Sequence, residues 1–128
     1  MRTFRVTGCI LSSLAVLVAT GATAADYDFE FYAYPNPFDI SEDTEMALVY
    51  YIPASGTVSA YVYDFEGNKV RTLAEGLERD PGKYKGKIKW DGADENNHLV
   101  AADPYVIVLE VRILGKTYRD TFVAVVNR

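Results

Sequence analysis

Five oxygen-bearing side chains, Asp91, Asp94, Glu95, Asn96 and Asn97, fall within seven residues directly after Trp90. Carboxylates and amides at this density could hold calcium, which takes about six to eight oxygen ligands and tolerates loops. The ligands would be Asp91, Asp94, Glu95 and Asn97, although their spacing is not that of a helix-loop-helix calcium loop. Tight turns demand the same residue types, because Asp and Asn bond their own backbone and tolerate positive φ. Sequence leaves both readings open. Trp90 likewise reads either as a platform for a sugar ring or as the central tryptophan of a core.

Other chemistry is thinly supplied. His98 is the only histidine, and no glycine-flanked serine on a sharp turn stands ready to use it as a base. The only cysteine, Cys9, lies in a segment expected to be removed, which leaves no thiol for catalysis, disulfides or zinc. Carboxylates are plentiful but concentrate in turns, where solvation accounts for them. The chain is therefore expected not to be an enzyme and, calcium aside, to need no cofactor. Aromatic residues offer the stronger lead. All ten tyrosines lie after residue 26, and Tyr32, Tyr34, Tyr51, Tyr61 and Tyr63 alternate with apolar neighbours so as to point away from a core. Tyr51, Tyr61, Tyr63 and Trp90 are the expected contact residues, for a protein partner or a glycan.

The elements that must position these residues follow from the period of the apolar pattern. Val58, Ala60 and Val62 alternate with Ser59, Tyr61 and Tyr63; Asp64 to Asn68 supplies a turn, and Val70 and Leu73 resume the apolar pattern, which together predict a β-hairpin. Strands are also predicted over 26–34, 46–52, 83–90, 104–114 and 117–126, the second with two apolar faces, as for a central strand. Pro35-Asn36-Pro37-Phe38 stops the first of these, with Phe38 plugging the end of the core. Four acidic residues between Asp39 and Glu45 read as a solvated loop. Residues 74–82 read as a polar connection ending in the turn Asp80-Pro81-Gly82, and Gly115-Lys116 as the last turn. About seven strands, with no helical pattern after residue 25, predict an all-β, immunoglobulin-like antiparallel β-sandwich.

The first 25 residues have another character. Arg2 and Arg5 precede an apolar run from Ile10 to Val18, and Ala22-Thr23-Ala24 has the small-x-small form of a signal peptidase site. The run is too short and too interrupted to span a bilayer, which needs ~20 apolar residues. Cys9 precedes that run rather than following it, so lipidation there is not expected. The expected organisation is a signal peptide over 1–25 and one domain over 26–128. Removing residues 1–25 leaves 11 basic against 18 acidic side chains, a net charge of −7. That balance disfavours nucleic acid and anionic membranes, both of which reward clustered Lys and Arg.

The order of Pro35-Asn36-Pro37-Phe38; Leu48, Tyr50, Ile52 and Pro53; Val58, Val62, Tyr63, Asp64, Gly67, Val70, Arg71 and Leu73; and Gly82, Trp90-Asp91-Gly92, Asp94, Val100 and Tyr105 resembles the immunoglobulin-like domain at the C-terminal part of flagellar hook-capping proteins. Similar modules accompany many secreted bacterial proteins, and the C-terminal sorting domains of type IX secretion are similar too. Asn97 and Asp103 stand where the family usually has glycine at turns needing positive φ. The resemblance implies a sandwich without catalytic machinery. The expected role is an exported binding or scaffolding module, periplasmic or extracellular, acting through protein contacts and not inserted in the membrane. The rival is a calcium- or carbohydrate-binding module built on Trp90 and the acidic loop after it.

Overall fold

The computed structural model describes residues 2–3, 5–7 and 28–128. The described chain forms strands β1 (Arg2–Thr3), β2 (Arg5–Thr7), β3 (Asp28–Tyr34), β4 (Phe38–Asp39), β5 (Met46–Ile52), β6 (Gly56–Asp64), β7 (Lys69–Arg79), β8 (Gly82–Trp90), β9 (Pro104–Ile113) and β10 (Lys116–Asn127). They assemble into a four-stranded sheet, β1-β3-β5-β8, and a six-stranded sheet, β2-β10-β9-β6-β7, in which β4 lies parallel to β10. The fold is an all-β sandwich. The apolar run of the expected signal peptide and its cleavage site lie outside the described residues. Among the described residues no helix is long and apolar enough to cross a membrane.

All seven strands anticipated from alternation are present, and the faces are those the pattern dictates. Phe29, Phe31 and Ala33 of β3 and Met46, Leu48, Tyr50 and Ile52 of β5 are buried against Val58, Ala60 and Val62 of β6 and Ile107, Leu109, Val111 and Ile113 of β9. β5 is central in its sheet, between β3 and β8. No polar or charged residue is fully buried among the described residues, so the core depends on apolar packing rather than on a buried network. Rings tie the two sheets together at their edges: Phe29 on Tyr118 at 5.7 Å and Phe31 on Phe122 at 6.2 Å between centroids.

Three local expectations need correction. The connection anticipated over 74–82 is mostly strand, because β7 runs to Arg79 and pairs Leu77, Glu78 and Arg79 with Val58, Thr57 and Gly56. β7 is an edge strand with three register shifts along its pairing, so its side chains are only half covered and the sequence reads polar. Crossing to the other sheet is secured by Arg79, whose Nε donates to Tyr50 Oη at 3.2 Å, while the Tyr84 hydroxyl donates to the Asp80 carbonyl at 2.7 Å. The short parallel strand Phe38–Asp39 lacked any alternation to reveal it.

The last hairpin turns at Leu114-Gly115 rather than Gly115-Lys116, since Ile113 pairs directly with Lys116. Both turn residues have positive φ, 51° and 80°, as a two-residue hairpin matched to strand twist requires. Leucine is a poor residue for that backbone, and Leu114 is 94% exposed, so packing returns nothing. Leu114→Asn is expected to stabilise the protein by about 1 kcal/mol, read as a rise in Tm of about 4–8 °C. An unchanged or lower Tm would contradict this account of the turn.

Candidate functional site

Because Val58, Ala60 and Val62 face inward on β6, Ser59, Tyr61 and Tyr63 face outward. The same rule puts Val106, Val108, Glu110 and Arg112 of β9 and Arg119, Thr121, Val123 and Val125 of β10 on that outer face. The register then brings residues far apart in sequence into rows. Tyr63 opposes Val106, which opposes Val123; Tyr61 opposes Val108, which opposes Thr121. A third row is polar, with Ser59 opposite Glu110 and Glu110 ion-paired to Arg119. One half of the outer face is therefore aromatic and aliphatic, and Val123 is 47% exposed there. Lys69 Nζ lies 5.3 Å from the Tyr61 ring centre, holding that ring at the border of the patch.

The apolar half is held flat by the Pro-Asn-Pro segment. Asn36 Nδ2 donates to the Val123 carbonyl at 3.1 Å, and Asn36 Oδ1 accepts from the Val125 N–H at 2.8 Å. A side-chain amide thus bonds both backbone groups on the free side of β10, as a neighbouring strand would. Val123 and Val125 are kept on the surface by this clamp and by their pairing to β9.

The four expected contact residues do not converge. Tyr61 and Tyr63 share the patch, whereas Tyr51 lies on the outer face of the other sheet, between Glu30 and Lys83. Trp90 is not a surface platform but the largest fully buried side chain. Its Nε1 donates to the Ala93 carbonyl at 2.9 Å, and its indole packs on Phe38 and Tyr105. Val106, Val108 and Val123 were missed as site residues, since only the strand register places them beside the tyrosines.

The acidic loop is committed to its own backbone. Asp91 Oδ1 accepts from the Ala93 N–H at 3.0 Å and faces Arg71 Nη1 at 3.5 Å. Asp94 Oδ1 accepts from the N–H groups of Asn96 and His98 at 2.9 and 3.0 Å. Glu95 Oε2 accepts from the Thr72 N–H at 2.8 Å, while Asn97 takes the positive φ of 67° that closes the turn. No three His, Cys, Asp or Glu side chains gather as a metal cradle among the described residues. Between this loop and the Asp64–Asn68 turn lies an open groove of about 550 Å³, with Phe65 at its lip. Its carboxylates serve turns as well: Asp64 Oδ1 accepts from the N–H groups of Glu66 and Asn68.

The carboxyls of Asp39, Asp64 and Asp94 are held below the usual range. Asp94 is lowered first by the backbone N–H of His98, Asp64 first by that of Asn68, and Asp39 first by the Ser41 hydroxyl. A general acid working near neutrality needs the opposite shift.

No protein-family model matches the chain, and no curated protein matches it. Among solved structures, FlgD from P. aeruginosa is similar, with 24% identity over 67% of this chain and a TM-score of 0.55. The match covers 63% of that FlgD chain. The likeness is one of fold, and this chain has a FlgD-like sandwich.

Ionised Asp64 and Asp94 favour the folded state, because each carboxyl titrates below its usual 3.8 only when folded. Their contribution is present in full above the unfolded pKa and is lost as the pH falls through the lower folded one. The double variant Asp64→Asn/Asp94→Asn is expected to lose Tm less steeply than the parent between about pH 5 and 2. Parallel pH profiles would show that these turns do not depend on the charge.

Proposed function

We propose that the protein is a non-catalytic scaffolding module, exported to the bacterial cell envelope or beyond it, which binds another protein through the outer face of its larger sheet. The observation that carries this reading is the patch formed by Tyr61, Tyr63, Val106 and Val123 around the buried Val108, an apolar and aromatic surface where a sandwich's outer face ordinarily alternates to polar side chains. Tyrosine suits such a face, since it offers a large apolar area with a hydroxyl for a partner's polar groups and loses little conformational freedom.

The FlgD-like fold supports a structural rather than enzymatic role, FlgD being a flagellar hook-capping protein. The downward shift of Asp39, Asp64 and Asp94 points the same way, as does the use of the loop carboxylates to hold turns. Residues 1–25 as a cleaved signal would deliver the domain across the inner membrane, and cleavage would take away the short strands β1 and β2 and leave β3 to β10 as the mature sandwich. A glycan or calcium site at Trp90 gains no support, because the indole is enclosed and Asp91 Oδ1 and Asp94 Oδ1 already accept backbone N–H groups.

The test is capture of partners from envelope and secreted fractions of the source cell, followed by affinity measurement on the purified pair. Tyr61→Ala/Tyr63→Ala is expected to weaken the interaction at least about tenfold, with Tm close to the parent's. Tyr51→Ala, on the opposite sheet, is expected to bind normally. A folded protein with no partner, or one whose partner ignores the double variant, would overturn the reading.

A further inference from the structure

We propose that the outer face of the smaller sheet is a second binding surface, shaped for an anionic polysaccharide. The chain is acidic overall, with a net charge of −5, and has six lysines. Four of them, Lys83, Lys85, Lys87 and Lys89, project to solvent from the single strand β8. A surface this rich in ammonium groups on an acidic protein concentrates positive potential in one place.

Tyrosines complete that face. The register places Tyr51 between Glu30 and Lys83, Val49 between Tyr32 and Lys85, and Ala47 between Tyr34 and Lys89. β8 accommodates two extra residues between its pairings to Val49 and Ala47. An even slip returns the side chains to the same side, so all four lysines stay outward. Val49 points outward too, yet it is fully buried. Its cross-strand neighbours on that face are Tyr32 and Lys85, a ring and a lysine stem at the right spacing to pack over it. Lys85 Nζ also lies 5.9 Å from the centre of the Tyr34 ring, which itself remains 43% exposed.

Two lysines are neutralised, Lys83 by Glu30 at 3.2 Å and Lys89 by Glu45 at 2.8 Å. Lys85 and Lys87 have no carboxylate partner among the described residues. Lysines on an edge strand also deter pairing with another sheet, but that purpose requires no layer of tyrosines beside them. Outward tyrosine rings suit the apolar faces of sugars, and ammonium groups beside them suit their carboxylates or sulfates. An acidic peptide would use the lysines alone and a neutral glycan the rings alone. The two together select an anionic polysaccharide, whose repeated rings and acidic groups match tyrosines and ammonium groups set side by side along the face.

Affinity electrophoresis of the full protein through gels containing polygalacturonate, neutral dextran or polyglutamate tests this. The parent should be retarded by polygalacturonate and not by dextran, and less so as salt rises. Lys85→Glu/Lys87→Glu should lose at least about tenfold in apparent affinity, and Tyr34→Ala about threefold or more, a loss of ~0.7 kcal/mol. Tyr61→Ala/Tyr63→Ala, on the other sheet, should behave as the parent. Retention of binding in the lysine variant would overturn the proposal. So would equal retardation by polyglutamate, which would make the face a site for acidic peptides, or an unaffected Tyr34→Ala, which would reduce it to bare charge. Lys85→Gln/Lys87→Gln replaces the charge-reversed variant if that one melts early.

Discussion

The buried indole of Trp90 is the constraint on which one whole end of the sandwich depends. A tryptophan at the core end of an edge strand brings an N–H that must be satisfied, and the Ala93 carbonyl satisfies it three residues on. The chain therefore has to double back at once after β8. Gly92 makes the reversal with a φ of 82°, where a Cβ would come within 3.2 Å of Phe38 and 3.1 Å of Ile40. Phe38 and Tyr105 then close on the indole from two sides. Pro-Asn-Pro-Phe and Trp-Asp-Gly, distant in sequence, are thus two halves of one packing unit.

Once that unit is in place, the loop carboxylates have a structural explanation. Arg71 Nη1 donates to the carbonyls of Ala93 and Asp94, both at 3.2 Å, and Glu95 bonds to β7 through its own N–H and its side chain. Residues 91–98 are stitched to the β6–β7 hairpin, so the end of the sandwich behaves as one body. Asp and Glu here hold backbone N–H groups that would otherwise lack acceptors. The same oxygen density that suggested calcium is also what a loop of this length uses to bond its own backbone.

Much of the fold was legible because burial on one face writes itself into a period of two. β3, β5, β6, β8, β9 and β10 were readable on that ground, down to which tyrosines face out. β7 beyond Leu73 was not, because an edge strand with register shifts leaves little periodicity in Ala74 to Arg79. The turn at Leu114 was hidden by the poor fit of leucine to a positive φ. Asn97 carries the positive φ expected where hook-capping proteins usually have glycine; Asp103, expected to do the same, does not, and its carbonyl accepts from the Val126 N–H instead. Neither patch could be drawn from sequence, since Tyr61, Val108 and Thr121 become neighbours only through pairing between distant strands.

The two outer faces differ for a reason rooted in strand order. β9, at the centre of the larger sheet, is flanked on both sides, so its outward Val106 is half-buried and Val108 buried beside Tyr61, Tyr63 and Val123, and both can remain apolar without exposing an edge. β8, by contrast, ends the smaller sheet, and an apolar outward row there would invite another strand to pair. Charge is required on β8, and alternation with Tyr84, Ile88 and Trp90 puts all of it on one side. The sandwich therefore separates an outer face with an apolar half from one that carries the β8 lysines and outward tyrosines by the thickness of a single core. Glu30 and Glu45 pair with Lys83 and Lys89, while other carboxylates gather in turns around the Trp90 end, so Lys85 and Lys87 carry the charge of the smaller sheet's outer face.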